Sequence, residues 1–257
     1  MSKLLKSKLV IIKEASLIFD VVINEIKEVI KNPTKFKSIF KYSNCMEGKG
    51  YLVNNKKYKN LSINAKDLKI YFCNKDDEGN LANYMHDWKT KTKHNIQLMI
   101  LPRKAITEEL VIKSLINILK NNKDKLYCSI IHEYTHLCDN VIYHDKKYTV
   151  SLFTEGYSNQ VLNEMEIGNF DNYFTVPEEF NAFTNEGLAL FYKKFNRLKL
   201  PQLPIEDILV FLANKFWDKE FLISVFKNKK LKKKLLNTIY AAYKELYNEC
   251  KTERKGN

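Results

Sequence analysis

The residues best suited to chemistry stand at 132–136: His132-Glu133-Tyr134-Thr135-His136, an HExxH pattern. On a helix, residues four apart share a face. Both imidazoles can therefore reach one metal ion while Glu133, beside them, keeps its carboxylate free. Ile130, Ile131, Tyr134, Leu137 and Cys138 give this helix an apolar body that belongs in a core. A polar His-Glu-His edge in such a place is costly unless compensated, and Zn²⁺ compensates it. With five His and 19 Glu in 257 residues, chance alone yields the pattern in about one such sequence in 150. Zinc is the expected cofactor.

A catalytic zinc site has three protein ligands and one open position, so a third ligand is required. The metzincin continuation HExxHxxGxxH is excluded, because Asp139 holds its Gly position and Ile142 its last His position, with His144 two residues too late. Asp139, three residues after His136, is expected to hydrogen-bond a ligating imidazole rather than to ligate. Two carboxylates remain. Glu179, in Pro177-Glu178-Glu179-Phe180-Asn181-Ala182-Phe183, has Ala182, Phe183, Glu186 and Leu190 as its helical neighbours and borders an apolar face. Glu178 points more outward, and Pro-Glu-Glu is also an ordinary helix start. Glu155, followed by Gly156 and Tyr157, is separated from His136 by eighteen intervening residues and is the alternative. Glu179 is preferred.

These residues need elements to carry them. Apolar spacing predicts helices over 15–31, stopped by Asn32-Pro33, and over 107–120, with Thr107 as N-cap and Asn121-Asn122 at the exit. The HExxH helix is expected from about Leu126 to Val141, and another from Pro177 to about Asn196, with Pro177 in its first turn. Between residues 50 and 101 lie β-prone runs at Tyr58–Ile63, Leu68–Cys73 and Ile96–Leu101, and Tyr148–Phe153 is a further strand candidate. After Pro204 the chain reads as helices, the last carrying Leu231, Leu235, Ile239, Ala242, Tyr243 and Leu246 on one face. The lysine run at 229–234 is read as the solvated side of that helix. The expected class is α+β with a helical C-terminal portion. Its segments are an N-terminal helical stretch (1–44), a central domain (45–200) and a C-terminal helical extension (201–257).

Composition narrows the function. Seven Gly, five Pro and five Cys exclude collagen-like, low-complexity and disulfide-scaffold chains. The net charge of +13 rests almost wholly on Lys, with Arg only at 103, 197 and 254. Base readout and phosphate clamping favour Arg, so this charge reads as compositional bias and no specific nucleic-acid partner is expected. The five cysteines form no CxxC pair and suit a reducing interior. The N-terminal apolar run is cut by Lys13-Glu14, so no signal peptide is read, and no apolar stretch is long enough for a membrane span. A cytoplasmic monomer is the expectation.

His132–His136 followed by Leu137-Cys138-Asp139-Asn140, with Glu179-Phe180-Asn181-Ala182 more than forty residues on, resembles the catalytic domain of the anthrax lethal factor and Pro-Pro endopeptidase group. The same pairing recurs in phage-associated HExxH proteins. The resemblance covers roughly residues 128–192 and implies a zincin-like fold. In that fold a small mixed sheet packs on an active-site helix and a glutamate helix, with His132, His136 and Glu179 as zinc ligands. It implies a gluzincin metallopeptidase acting on a protein or peptide substrate, with Glu133 as general base. That group also places a Tyr seven residues before the ligand Glu to steady the oxyanion. Here the position holds Asn172, and Tyr173 follows. Two other readings start from the same residues: a non-catalytic structural or nucleic-acid-binding zinc protein, and an aminopeptidase with Glu155 near the amine.

Overall fold

The computed structural model describes residues 3–36, 50–53, 68–75, 81–86, 94–102, 107–145, 173–195, 198, 200 and 202–253. Among these, seven α-helices and a four-stranded mixed sheet make a mostly helical α/β chain. The chain divides into two compact units, one of residues 13–138 and one of residues 1–12 with 139–257.

The first unit holds the sheet. Helix α1 (Lys3–Lys31) enters it at Lys13 and ends where Pro33 denies the next turn an N–H. Ala15, Ile18, Phe19, Val22, Ile23, Ile26 and Val29 are buried, a stripe at helical spacing. The helix starts twelve residues before its expected beginning at residue 15. Leu5 and Ile12 extend the stripe backwards, with Lys8 buried between them, whereas Lys6 and Lys13 are exposed on other faces.

Strands β1 (Tyr51–Leu52), β2 (Leu68–Asn74), β3 (Ala82–His86) and β4 (His94–Leu101) lie in the order β1-β2-β4-β3. The β2–β4 pair is parallel, with Ile70 opposite Ile96 and Phe72 opposite Leu98. The other two pairs are antiparallel. Leu68, Ile70 and Phe72 on β2 and Ile96, Leu98 and Ile100 on β4 are buried, the alternation expected of a face turned to a core. β2 and β4 follow the β-prone runs closely. β3, Ala82-Asn83-Tyr84-Met85-His86, has only Tyr84 as a strong strand former and owes its extended state largely to its pairing with β4. The expected strands Tyr58–Ile63 and Tyr148–Phe153 lie outside the described residues.

Helix α2 (Glu108–Asn121) is capped as its sequence predicts: the Leu110 N–H donates to Thr107 Oγ1 at 3.3 Å, and the Asn122 N–H closes the far end on the Ile118 carbonyl. Ser114 fastens it to β4 by donating to the Ile100 carbonyl at 2.8 Å. Helix α3 (Lys123–Asp145) follows at once and overruns its expected span at both ends. It buries Leu126, Ile130, Ile131, Tyr134, Leu137 and Cys138.

The second unit is built of helices α4 (Pro177–Lys194), α5 (Ile205–Phe216), α6 (Lys219–Lys227) and α7 (Lys229–Glu253). α4 packs on α5 and α7, and α7 on α5 and α6. Asp218 caps α6 by accepting from the N–H groups of Glu220 and Phe221, and Asn228 does the same for α7. Leu235, Ile239, Ala242 and Leu246 form the buried face of α7, whereas Lys229, Lys230 and Lys233 are exposed, as the solvated-face reading expects. Cys73 and Cys138 are buried and Cys128 is half-buried. Among the described residues no helix is long and apolar enough to cross a membrane.

α4 tolerates a glycine in its interior, which ordinarily costs about 1 kcal/mol relative to Ala. The reason is Trp217: a Cβ on Gly187 would lie 2.1–2.3 Å from its indole ring. Gly187→Ala is therefore expected to lower stability by about 1–3 kcal/mol through overpacking, read as a fall in Tm. An unchanged or higher Tm would show that the indole is not held against this position.

Candidate metal centre

The His132 and His136 rings stand side by side on α3, with centroids 4.7 Å apart and planes at 76°. His132 is only 9 % exposed and His136 is half-buried. The helix around them is anchored on every side. Ile130, Ile131, Leu137 and Cys138 are fully buried, and the Tyr134 hydroxyl donates to Glu14 Oε2 at 2.7 Å. Burial and that carboxylate push the Tyr134 phenol well above its ordinary range. Thr135, also buried, satisfies its hydroxyl on the Ile131 carbonyl one turn back.

Glu133 lies between the two histidines in sequence and is half-buried. Its Oε2 accepts a 2.7 Å hydrogen bond from the Tyr84 main-chain N–H. Tyr84 sits opposite Ile96 in the β3–β4 ladder, while Leu81 pairs with β4 through its own carbonyl and the Met99 N–H. Alternation in an antiparallel ladder then turns the Tyr84 N–H away from β4. The Tyr84 hydroxyl meets His94 Nδ1 at 2.7 Å, and the two rings stack. The strand that supplies this N–H is thus itself pinned by a side-chain pair.

Glu179 belongs to the first turn of α4, whose Pro177 occupies the N-terminal position predicted for it. It is 9 % exposed, whereas Glu178 next to it is less covered, in keeping with the expected faces. Phe180 is buried against Phe221, which also stacks on Phe183, so aromatic packing fixes the start of this helix. Burial, with Asp139 and Glu179 nearby, pushes the Glu178 carboxyl up to about 7.

The ligand atoms of His132, His136 and Glu179 all lie within 4.8 Å of one another. Two imidazole nitrogens and one carboxylate oxygen are a donor set that zinc takes in catalytic sites. With bonds of about 2.0–2.1 Å, a tetrahedral zinc separates its ligands by about 3.4 Å, which is shorter than the 4.8 Å within which these atoms lie. The residues fit the metal. Tyr173 stands just before α4 with its ring against Phe174 and Phe183. Glu155 and Asn172 lie outside the described residues.

Asp139 departs from expectation. It is bound to the Asn181 side chain and faces the ammonium groups of Lys8 and Lys234, rather than backing an imidazole. One turn beyond His136, α3 has rotated this side chain onto other helices. Burial outweighs the two cations and pushes its carboxyl up to about 6. Lys8 is 5 % exposed, and burial pulls its ammonium down to about 8. Sequence reasoning missed Lys8 and Tyr84. Tyr84 contributes a main-chain group, which no residue type announces. Lys8 did leave a signal, since it falls between Leu5 and Ile12 on the buried stripe of α1.

No protein-family model, curated protein or solved structure matches the chain.

His132→Ala, His136→Ala and Glu179→Ala should each lower zinc affinity by at least about tenfold, whereas Glu178→Gln should leave it near wild type. Competition titration against a chromophoric chelator measures this. Equal affinity in Glu179→Ala and wild type would remove Glu179 from the ligand set.

Proposed function

We propose that the chain is a zinc-dependent metallopeptidase of the gluzincin kind, built on a zincin-like arrangement of a small sheet, an HExxH helix and a glutamate helix. The observation that carries this reading is the convergence of the His132, His136 and Glu179 donor atoms to within 4.8 Å, the two histidines standing on the helix that also carries Glu133. When bound by these three residues, zinc supplies Lewis acidity that makes water a nucleophile near neutral pH and polarises a carbonyl.

Glu133 is the general base. Its carboxylate takes a proton from the water that attacks the scissile carbonyl and returns it to the departing amine. The Tyr84 N–H orients that carboxylate through a charge-assisted hydrogen bond. Tyr173 is the candidate second donor to the oxyanion.

A peptide substrate is favoured by the sheet. Among the described residues β3 ends the strand order, and it carries the outward N–H that Glu133 meets. An extended peptide laid along such an edge gains main-chain hydrogen bonds whatever its side chains. The resemblance to the lethal factor and Pro-Pro endopeptidase group points the same way.

The test is zinc content together with cleavage of a denatured protein mixture, followed by sequencing of new N-termini. Wild type should cleave, lose activity to a chelator and recover it with added zinc. Glu133→Gln should keep stoichiometric zinc and lose cleavage by about 10²–10⁴-fold. Undiminished cleavage by zinc-loaded Glu133→Gln would exclude the base. Purified wild type unable to take up zinc would exclude the whole reading.

A further inference from the structure

Within the second unit, four helices send polar side chains to one place around the buried Lys8 and Asn185. From the start of α1 comes Lys8, from the end of α3 Asp139, from α4 Asn181 and Asn185, and from α7 Lys234. Lys8 Nζ donates to Asn185 Oδ1 at 3.1 Å, and Asn185 is 1 % exposed. Asp139 is held by the Asn181 side chain and by the charges of Lys8 and Lys234. Its second oxygen, Oδ2, is buried with no hydrogen-bond partner among the described residues. Lys234 approaches from the more exposed side, its Nζ 4.9 Å over the Phe180 ring.

Nothing in ordinary core packing calls for this. Well-packed apolar residues serve stability as well as a buried ion pair does, and each charge here would be strongly destabilising if left alone. What such a cluster offers is direction. The Lys8–Asn185 and Asp139–Asn181 bonds form in one register of the helices, and a slip of one residue breaks both. The residues it joins are also close in sequence to the candidate ligands: Asp139 follows His136 by one turn, and Asn181 follows Glu179 by two residues.

We propose that the Lys8–Asp139–Asn181–Asn185 cluster is the positioning device of the metal centre. It locks α4 to the end of α3 in the one register that brings Glu179 to the histidines. This rests on the metal reading above and adds four residues to it. None of the four touches the metal. They act by setting the ligand helix, with Lys8 as a tie from the first turns of the chain.

The test separates position from stability. In Lys8→Met with Asp139→Leu both charges are removed together, so no unpaired ion is left in the core. Asn181→Ala, at a half-buried site, breaks the cross-helix bond with little loss of packing. Each is measured for thermal unfolding in chelator, for zinc affinity by competition, and for the visible spectrum of the cobalt(II) form. The expected result is a metal-free Tm close to wild type in Asn181→Ala, zinc bound about 10–100-fold more weakly in both variants, and altered cobalt bands. Variants that bind zinc as tightly as wild type with an unchanged cobalt spectrum overturn the positioning role while leaving the metal centre intact. A lower metal-free Tm with wild-type affinity assigns the cluster to stability alone and equally overturns it. If wild type itself takes up neither zinc nor cobalt, both this role and the metal reading fall.

Discussion

A helix that buries Ile130, Ile131, Tyr134, Leu137 and Cys138 almost completely leaves its remaining polar groups little water to face. On α3 those groups include two imidazoles, the Glu133 carboxylate and the hydroxyls of Tyr134 and Thr135. Moving unpartnered polar atoms out of water costs kilocalories per group, so the rest of the structure must answer them. It does so in three ways. A strand edge supplies an N–H to Glu133, the start of α4 brings a carboxylate toward the histidines, and Tyr134 and Thr135 find acceptors of their own on Glu14 and on the helix backbone. The donor set that remains is the one a divalent cation would complete.

The supports of this site differ in kind. Around Glu133 the support is main chain: a strand pinned by the stacked Tyr84–His94 pair offers one amide. Around Glu179 it is aromatic, through the contacts of Phe180 and Phe183 with Phe221. Around Asp139 it is ionic and buried, with Lys8 and Asn181 as partners. Apolar contacts set distance and shape through interdigitated side chains. Directional polar bonds fix register. Both kinds of contact surround the two helices whose donor atoms lie within 4.8 Å of one another.

Much of the architecture was legible in residue order. Thr107 before Glu108-Glu109 marked the start of α2, Pro177 the start of α4, and the spacing of Val22, Ile26 and Val29 the buried face of α1. Other features were illegible for identifiable reasons. β3 is a strand largely because β4 lies beside it. α1 begins earlier than expected because Lys8 occupies a core position where an apolar residue would have signalled continuation. Asp139 was expected to face an imidazole, since spacing of three on a helix permits that. Which neighbour an Asp meets depends on what packs against the turn, and here that is Asn181 and Lys8.

Residue order by itself settled what lies within one helical turn: two histidines and a glutamate at a spacing that puts the imidazoles together, and capping residues that start the helices around them. These follow from the fixed rise and pitch of the backbone, so they need no knowledge of the rest of the molecule. Only the folded chain decided which distant carboxylate approaches the histidines, that a main-chain N–H from Tyr84 meets Glu133, and that Lys8 reaches Asn185 across 177 positions. Those pairings depend on how whole elements pack, and that packing is set by the summed burial of many side chains rather than by any local pattern.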